Sequence, residues 1–184
     1  MDIENLCIGF YQIYNMNYKE FITDVPNWPI EGVNFKDITP LLENKEAFTQ
    51  AIDELSVLSI SMGDDIKIAG IESRGFIFGA GLAALNGFGF IPVRKAGKLP
   101  PPTIAAEYEK EYGVDRLEVK EGSGDVLIVD DVLATGGSLE ATEQLLTAAG
   151  YNVVGAVVLV DLKFLHEDIL IGGNPVLSLI QYEE

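Results

Sequence analysis

The chain has 184 residues, of which 48% are hydrophobic, and 29 acidic against 12 basic residues give it a formal net charge of −17 at pH 7. This length suits one domain with a sizeable core, and such an acidic chain repels nucleic acid rather than attracting it. No apolar run approaches a membrane span, acidic residues at positions 2 and 4 argue against a secretory signal, and a single cysteine permits no internal disulfide and suits a reducing cytoplasm.

The first quarter of the chain predicts one short helix, an irregular stretch and then a longer helix. The short helix is expected over residues 17–22, at the end of an N-terminal extension of residues 1–24. Residues 25–42 contain three prolines and are expected to be irregular. Asn44 is a suitable N-cap for the next helix. Apolar residues recur at helical spacing behind it, at Phe48, Ile52, Leu55 and Leu58.

From residue 66 onward, predicted strands alternate with predicted helices. The strands are expected over residues 66–71, 88–93, 125–129, 152–159 and 176–182, and the helices over residues 75–86 and 137–149. The polar residues 94–124 form a long connection, and a connection of this length is usually functional or mobile. The alternation predicts an α/β domain with a mostly parallel sheet flanked by helices. Ligands of such sheets bind where the strands end, so we expect Asp130, Arg74 and Arg94 to converge there.

The segment from residue 126 to residue 138 carries the most chemical information. Four apolar residues predict a buried strand, two carboxylates, Asp130 and Asp131, stand where that strand ends, and a loop of small residues leads into a helix. Backbone N–H groups of such a loop bind phosphate, and neighbouring acids suit ribose hydroxyls. Capping of the following turn is the simpler alternative for the acid pair. We predict a sugar-phosphate site whose loop consists of Ala134, Thr135, Gly136, Gly137 and Ser138.

Scarce cations cluster in a second segment. Three of the twelve basic residues lie within residues 94–98, where a solvated charge run is the simpler interpretation. Another arginine follows the strand predicted to end at residue 71, with glycines on both sides that permit close approach of a ligand. Beside a sugar-phosphate site these two segments predict a clamp for pyrophosphate, whose charges need Arg and Lys donors. The predicted clamp residues are Ser73, Arg74, Arg94, Lys95 and Lys98.

The segment from Asp130 to Ser138 resembles the phosphoribosyl pyrophosphate signature of the type I phosphoribosyltransferases. Further motifs resemble the adenine phosphoribosyltransferases and occur in family order between residues 25 and 165. They are Gly-Val-Asn-Phe-Lys-Asp-Ile-Thr-Pro from residue 32, Glu-Ser-Arg-Gly-Phe from residue 72, Arg-Lys-Ala-Gly-Lys-Leu-Pro from residue 94, and Glu-Tyr-Gly from residue 111 with Leu117-Glu118 beyond it. The resemblance implies one phosphoribosyltransferase domain over residues 1–184, with a small N-terminal hood and a long flexible catalytic loop within residues 94–124.

The resemblance also implies an activity in purine salvage. The 5-phosphoribosyl group of phosphoribosyl pyrophosphate would pass to adenine, giving AMP and pyrophosphate. Residues 134–138 would bind the 5-phosphate, and Asp130 and Asp131 would bind the ribose hydroxyls. Mg²⁺ would be held mainly by the oxygens of the substrate, without a dedicated set of protein ligands. The enzyme is expected to be a cytoplasmic homodimer whose partners are these small molecules, with no nucleic acid or membrane.

For the base and for proton transfer, the resemblance assigns further residues. In the base-binding region, residues 25–42, Phe35 would stack on adenine, the backbone of Asn34 would read the edge of the base, and Lys36 would lie near the ring. A core aromatic is an equally good interpretation of Phe35. Glu111 matches the proton-transfer carboxylate of the family, and Tyr112 would help to close the loop and exclude water. Taken alone, Glu111 would be a solvated charge and Tyr112 an aromatic that packs within the loop.

Two other functions compete with adenine salvage. The first is phosphoribosyl transfer to hypoxanthine, guanine or xanthine, whose 6-oxo group requires a donor where adenine requires an acceptor. The second is a regulatory protein that keeps the fold and only senses phosphoribosyl pyrophosphate. A sensor of this kind would need a second module or a basic surface, and neither is evident in the sequence.

Overall fold

A computed structural model of the protein describes the backbone of residues 16–110 and 113–184, and the side chains of these residues except 108–110 and 113–115. Across these described residues, no helix combines the length and the apolar character that crossing a bilayer requires. The chain forms two compact units, one ending at Phe48 and the other extending from Thr49 to Glu184.

The first unit contains a β-hairpin followed by helices. The short helix predicted over residues 17–22 is confirmed as a 3₁₀ helix. The stretch expected to be irregular instead forms an antiparallel hairpin and a short helix. In the hairpin, Lys36 stands opposite Asp24, and in the helix Pro40 occupies the first turn, where a missing N–H group breaks no helical hydrogen bond. These elements are, in chain order, the 3₁₀ helix Tyr18–Phe21, β1 (Thr23–Pro26), β2 (Asn34–Asp37) and α1 (Thr39–Glu43).

Helix α2 (Lys45–Ile60) begins directly after Asn44, the residue predicted to cap it. The amide of Ala47 donates to Oδ1 of Asn44 at 2.9 Å, so that Asn44 satisfies one of the N–H groups left unpaired at a helix start. The buried side chains recur every four residues at Ala47, Ala51 and Leu55, which is the spacing of one helix face.

The second unit is built on a seven-stranded sheet in the order β11-β8-β7-β3-β4-β6-β5. The pairs among β11, β8, β7, β3 and β4 are parallel, and β6 pairs antiparallel with both β4 and β5. This confirms the predicted mostly parallel α/β sheet. The elements of this unit are β3 (Lys67–Ile71), α3 (Gly75–Asn86), β4 (Gly89–Lys95), β5 (Ile104–Lys110), β6 (Gly113–Val119), β7 (Asp125–Leu133), α4 (Gly137–Ala148), β8 (Asn152–Leu162), the 3₁₀ helix Lys163–Leu165, β9 (Leu170–Ile171), β10 (Asn174–Pro175) and β11 (Leu177–Tyr182).

The long connection expected over residues 94–124 contains two strands, β5 and β6. Leu117 and Val119 of β6 are buried in the same core as the central strand β7, and Ile104 and Ala106 of β5 pack against that core. These apolar residues occupy every second position, as in a strand with one buried face. The charged residues between them gave the segment the polar composition that suggested a loop.

Strand β7 is longer than the prediction that ended it at residue 129. Its hydrogen-bonded register with β3 stops at Val129, but the register with β8 continues through Asp130 to Leu133. The acid pair therefore lies within the strand, at the point where one of its two neighbours has ended. Arg94 likewise lies within β4, opposite Glu118 of β6, rather than after the strand.

Candidate functional site

Asp130 and Asp131 form the centre of the site at the carboxyl edge of the sheet. Asp131 is 3% exposed, and its amide donates to Oδ1 of Asp130 at 2.9 Å. The start of α3 lies against the pair, because a Cβ added at Gly75 would be 2.6 Å from the carbonyl oxygen of Val129 and 3.0 Å from Oδ1 of Asp130. Only glycine fits that contact. Nε of Arg74 lies 2.8 Å from Oδ2 of Asp131, so that a cation from the preceding turn pairs with the acid.

Burial raises the pKa of both aspartates. The charge of Asp131 raises the pKa of Asp130 further, so that the pKa of Asp130 lies well above its usual value. The guanidinium of Arg74 opposes this rise at both residues without cancelling it. The pair therefore holds a proton more readily than an exposed aspartate does. A bound cation, or hydroxyl groups that donate hydrogen bonds, would favour its charged form.

The loop of residues 134–136 connects the acid pair to α4. Gly136 caps α4 with φ +87°, in the left-handed region that favours glycine. An added Cβ at this position would collide with Cδ1 of Ile169. The first backbone N–H groups of α4 have no acceptor within the helix, and they lie at the positive end of its dipole. An anion at this end of α4 would meet several amide donors, a few residues along the chain from Asp131.

On the other side of the acid pair, Glu72 organises the basic residues 94–98 and the backbone that follows them, which we call the cation segment. The carboxylate of Glu72 accepts hydrogen bonds from Nε and Nη2 of Arg94 at 3.2 and 3.3 Å and from the amide of Lys95 at 3.0 Å. Nη1 of Arg94 donates to the carbonyl oxygen of Lys98 at 3.1 Å. Burial would raise the pKa of Glu72, but the hydrogen bonds from Arg94 and Lys95 hold that pKa below its usual value. Arg94 is therefore engaged by a carboxylate of its own chain.

The turn of residues 72–74 joins the two halves of the site. Its Glu72 binds Arg94 at one end, and its Arg74 pairs with Asp131 at the other. The peptide bond between Glu72 and Ser73 is cis, and the amide of Glu72 donates to the carbonyl oxygen of Val93 at 2.9 Å. The structure thus brings together the predicted acid pair, the small-residue loop and the cation segment at one edge of the sheet.

Two glutamates of the site were not among the predicted residues. Glu72 follows β3 directly, and its position at a strand end beside the predicted Ser73 and Arg74 was an available signal. Glu118 lies in β6, and it accepts hydrogen bonds from the backbone of the cation segment. It stands among the family-like residues of the segment predicted to be a polar connection, and that resemblance assigned no role to it.

The three residues predicted to bind a base lie on β2 in the first unit. The ring of Phe35 makes an edge contact with Trp28, with centroids 4.4 Å apart and an interplanar angle of 68°. Nζ of Lys36 is 2.5 Å from Oδ1 of Asp24, and the Lys36 side chain is 5% exposed. Asn34 is exposed. Two further predicted residues, Glu111 and Tyr112, lie outside the described residues.

Comparison with known proteins identifies relatives along nearly the whole chain. Residues 41–167 match the family model of the phosphoribosyl transferase domain. The adenine phosphoribosyltransferase of Bdellovibrio bacteriovorus is 47% identical over 167 residues, which cover 91% of this chain and 100% of the relative. The crystal structure of the adenine phosphoribosyltransferase of Thermoanaerobacter pseudethanolicus is similar with a TM-score of 0.81 and 42% identity, covering 90% of this chain and 98% of that one.

A further solved structure that resembles this chain contains ligands. It is the adenine phosphoribosyltransferase of Saccharomyces cerevisiae, in complex with adenine and D-2,5-dideoxy-2,5-imino-altritol 1,6-bisphosphate. The similarity has a TM-score of 0.77 at 38% identity and covers 88% of this chain and 95% of that one. The type I fold predicted from the motifs is confirmed by these similarities.

Proposed function

The chain belongs to the adenine phosphoribosyltransferases of the phosphoribosyl transferase domain family, and from this premise we propose a role for each part of its site. The protein is an enzyme of purine salvage that transfers the 5-phosphoribosyl group from phosphoribosyl pyrophosphate to adenine, giving AMP and pyrophosphate. One observation carries the assignment of this reaction to the site. The turn of residues 72–74 contacts both the acid pair and the cation segment, so that groups suited to the two ends of the substrate are held by one turn.

The reaction develops charge at two places, and the site has groups of opposite sign for them. As pyrophosphate leaves, positive charge develops on the ribose ring, and negative charge develops on the leaving group. In our proposal Asp130 and Asp131 bind the ribose hydroxyls and stabilise the positive ring. The amides of residues 134–138 hold the 5-phosphate and so fix the position of the ring.

We assign the pyrophosphate to Ser73, Arg74, Arg94, Lys95 and Lys98. In this assignment Arg94 contributes charge while Glu72 fixes its orientation, because both carboxylate oxygens of Glu72 already accept from its guanidinium. Arg74 links the acid pair to the cation segment, since it pairs with Asp131 and belongs to the turn whose Glu72 binds Arg94. Fixed cations at the leaving group lower the barrier because they need not reorganise when the bond breaks.

The acid pair has the chemistry that a magnesium ion prefers. Mg²⁺ binds carboxylate and phosphate oxygens, usually keeps several waters, and supplies charge that stabilises a leaving pyrophosphate. The oxygens of the substrate would hold most of its coordination sphere, and an aspartate of the pair would complete it through water. The burial that raises the pKa of both aspartates favours a cation beside them. No group of three or more His, Cys, Asp or Glu side chains placed to bind a metal occurs in the part of the chain that the structure describes.

For the base we keep the assignment that the family resemblance implies. Phe35 stacks on adenine, the backbone of Asn34 reads the edge of the base, and Lys36 lies near the ring. Glu111 transfers the proton and Tyr112 helps to exclude water. The salt bridge between Lys36 and Asp24 supports an indirect role for Lys36 in binding the base. In this role the charge of Lys36 fixes the hairpin that carries Phe35.

We further propose that the enzyme is a cytoplasmic homodimer. All twelve residues of α3 are uncharged, and its exposed positions include Ile77, Ala80, Ala84 and Leu85. Ile77 is 38% and Leu85 53% exposed. An exposed apolar stripe of this kind is typical of an interface with another protein, and a second copy of the chain is the partner we propose. Sedimentation equilibrium of the Leu85→Glu variant should then give a monomer, and a dimer of unchanged stability would exclude this face.

A panel of bases tests the reaction. Adenine, hypoxanthine, guanine and xanthine are each incubated with phosphoribosyl pyrophosphate and Mg²⁺, and nucleotide and pyrophosphate are measured together. We expect adenine alone to give rapid turnover, with equal amounts of AMP and pyrophosphate. Turnover with guanine or xanthine but not adenine would overturn the base assignment. Binding of phosphoribosyl pyrophosphate without turnover of any base would favour the sensing protein.

A further inference from the structure

The cation segment is held at its end by a second carboxylate, that of Glu118. The amides of Lys98 and Leu99 donate to one oxygen of this side chain, Oε1, at 2.8 and 2.6 Å. Glu118 belongs to β6 and is 6% exposed. A buried carboxylate with backbone donors on a single oxygen fixes the position of those donors, because charge-assisted hydrogen bonds of this kind are short and strong.

The path of the chain explains why residues 97–99 need this acceptor. After β4 ends at Lys95, the amide of Ala96 donates to the carbonyl oxygen of Arg116 at 2.9 Å, and Gly97 turns the chain with φ +80°. The amide of Lys98 then lies 3.2 Å from the carbonyl oxygen of Lys95, a weaker contact than the one it makes with Glu118. Without Glu118, the amide of Leu99 would lose its short hydrogen bond, which is costly for a partly buried group.

The electrostatics of Glu118 agree with this role. The hydrogen bond from the Leu99 amide lowers its pKa most, and those from Gly97, Lys98 and the Thr103 hydroxyl lower it further against the opposing effect of burial. Glu118 is therefore a charged acceptor at neutral pH. All of these donors belong to the segment that follows β4, so the carboxylate acts on that segment.

We propose that Glu118 is a positioning residue of the pyrophosphate subsite, which holds the backbone of residues 97–99 so that the cation segment keeps one conformation. The inference rests on the assignment of Lys95 and Lys98 to pyrophosphate in the proposed function. It has a selective consequence. Phosphoribosyl pyrophosphate and free pyrophosphate need the ordered segment, whereas AMP carries no pyrophosphate and should bind without it.

Four variants test this role. Glu118→Ala removes the acceptor, Glu118→Gln keeps a neutral oxygen that can accept both amides, and Glu118→Asp keeps the charge but withdraws it by one methylene. The matched control is Glu121→Gln, which makes the same change of charge three residues away at an exposed position. The measurements are the KM for phosphoribosyl pyrophosphate, the inhibition constant of pyrophosphate and the Kd of AMP.

We expect Glu118→Ala to raise the KM for phosphoribosyl pyrophosphate and the inhibition constant of pyrophosphate by about 10- to 100-fold, as misplacement of binding groups by about 1 Å does. The Kd of AMP should change by less than about 2-fold, since its phosphate and ribose groups are elsewhere. Glu118→Gln should raise the KM for phosphoribosyl pyrophosphate and the inhibition constant of pyrophosphate by less than about 5-fold. An uncharged acceptor keeps the two hydrogen bonds in weaker form. Glu121→Gln should match the wild-type enzyme.

An equal loss of AMP and pyrophosphate binding in Glu118→Ala would overturn the inference, because it would indicate a general loss of structure. An unchanged KM for phosphoribosyl pyrophosphate would overturn it as well. If Glu118→Ala does not fold, the KM values of the other two variants for phosphoribosyl pyrophosphate decide. A KM closer to wild type in Glu118→Gln than in Glu118→Asp supports the inference, and the reverse order excludes it. A wild-type enzyme that binds phosphoribosyl pyrophosphate and forms no AMP would instead refute the proposed function, and calorimetric binding of pyrophosphate would still test Glu118.

Discussion

The acid pair and the two glutamates that hold the cation segment are carboxylates at one edge of the sheet, but their pKa values are shifted in opposite directions. Burial beside each other raises the pKa of Asp130 and Asp131, and Arg74 offsets this only in part. Glu72 and Glu118 instead have lowered pKa values, because a guanidinium or backbone amides donate to them. The glutamates are satisfied by the chain itself, whereas the aspartates gain most from an external partner. This difference separates carboxylates that bind a ligand from carboxylates that position other groups.

The largest effect should come from the acid pair. Asp131→Asn removes a charge at nearly constant shape and leaves Arg74 beside a neutral group. Stabilisation of the positive ribose ring is then weakened, and kcat/KM should fall by about 10²- to 10³-fold, the range for loss of one preorganised electrostatic group. The measurement is steady-state formation of AMP.

Asp125→Asn is the matched control for this variant. Asp125 is exposed at the start of the same strand, and its Oδ1 accepts from the side-chain amide of Asn152 at 2.7 Å, which an asparagine oxygen can also do. It should retain wild-type activity. Retention of more than a tenth of the activity by Asp131→Asn would remove the distinction between the two kinds of carboxylate.

A smaller and more selective effect is expected in the cation segment. Arg94→Lys keeps the charge but loses the two parallel hydrogen bonds to Glu72, since lysine presents a single point charge. The KM for phosphoribosyl pyrophosphate should rise by about 10-fold, a cost in the range for a charge-assisted hydrogen bond, and the Kd of AMP should stay the same. Kinetics of the forward reaction and equilibrium binding of AMP measure the two quantities.

The variant Glu72→Gln and the double variant complete a cycle with Arg94→Lys. Because Glu72 and Arg94 act as a pair, the double variant should be little worse than either single variant. Additive losses would show that Arg94 acts independently of Glu72, and the segment would then not depend on its positioning carboxylate.

The smallest effect concerns stability, and its sign should differ between the two groups. Asp130 has a raised pKa in the folded state, so its contribution to stability is present below the unfolded value, near 3.8, and is lost as pH rises through the folded pKa. Asparagine does not ionise, so Asp130→Asn does not lose this stability as pH rises. Its unfolding temperature at pH 7 should lie about 2–4 °C above that of the wild type, which corresponds to about 1 kcal/mol in the free energy of unfolding at this chain length. This gain should shrink as pH falls towards 4.

Glu72 has a lowered pKa, so its contribution is present above the unfolded value, near 4.5, and is lost as pH falls through the folded pKa. Glu72→Gln should therefore be less stable than wild type at pH 7, with a difference that vanishes in acid. Thermal unfolding followed by circular dichroism between pH 3.5 and 8 measures both differences. The same sign for the two variants at pH 7 would contradict the contrast.

Much of the fold was predictable from local pattern. Helix α3 has the predicted bounds, residues 75–86, and Asn44 caps α2 as expected. The hairpin β5–β6 was missed because charged residues between its apolar positions gave it the composition of a loop. The extent of β7 was missed because the partner that prolongs it, β8, lies further along the chain. Strand length in a sheet depends on neighbours as well as on local sequence.

The sequence by itself determined the type of chemistry: an acid pair before a small-residue loop, a concentration of scarce cations, and motifs in family order. Only the tertiary structure decided which of these charges meet. Arg74 pairs with Asp131 because β3 lies beside β7, and Glu72 binds Arg94 because β4 lies on the other side of β3. Residues far apart in sequence become neighbours through strand order, which periodicity and composition do not encode. The roles of Glu72 and Glu118 therefore emerged only when the sheet was assembled.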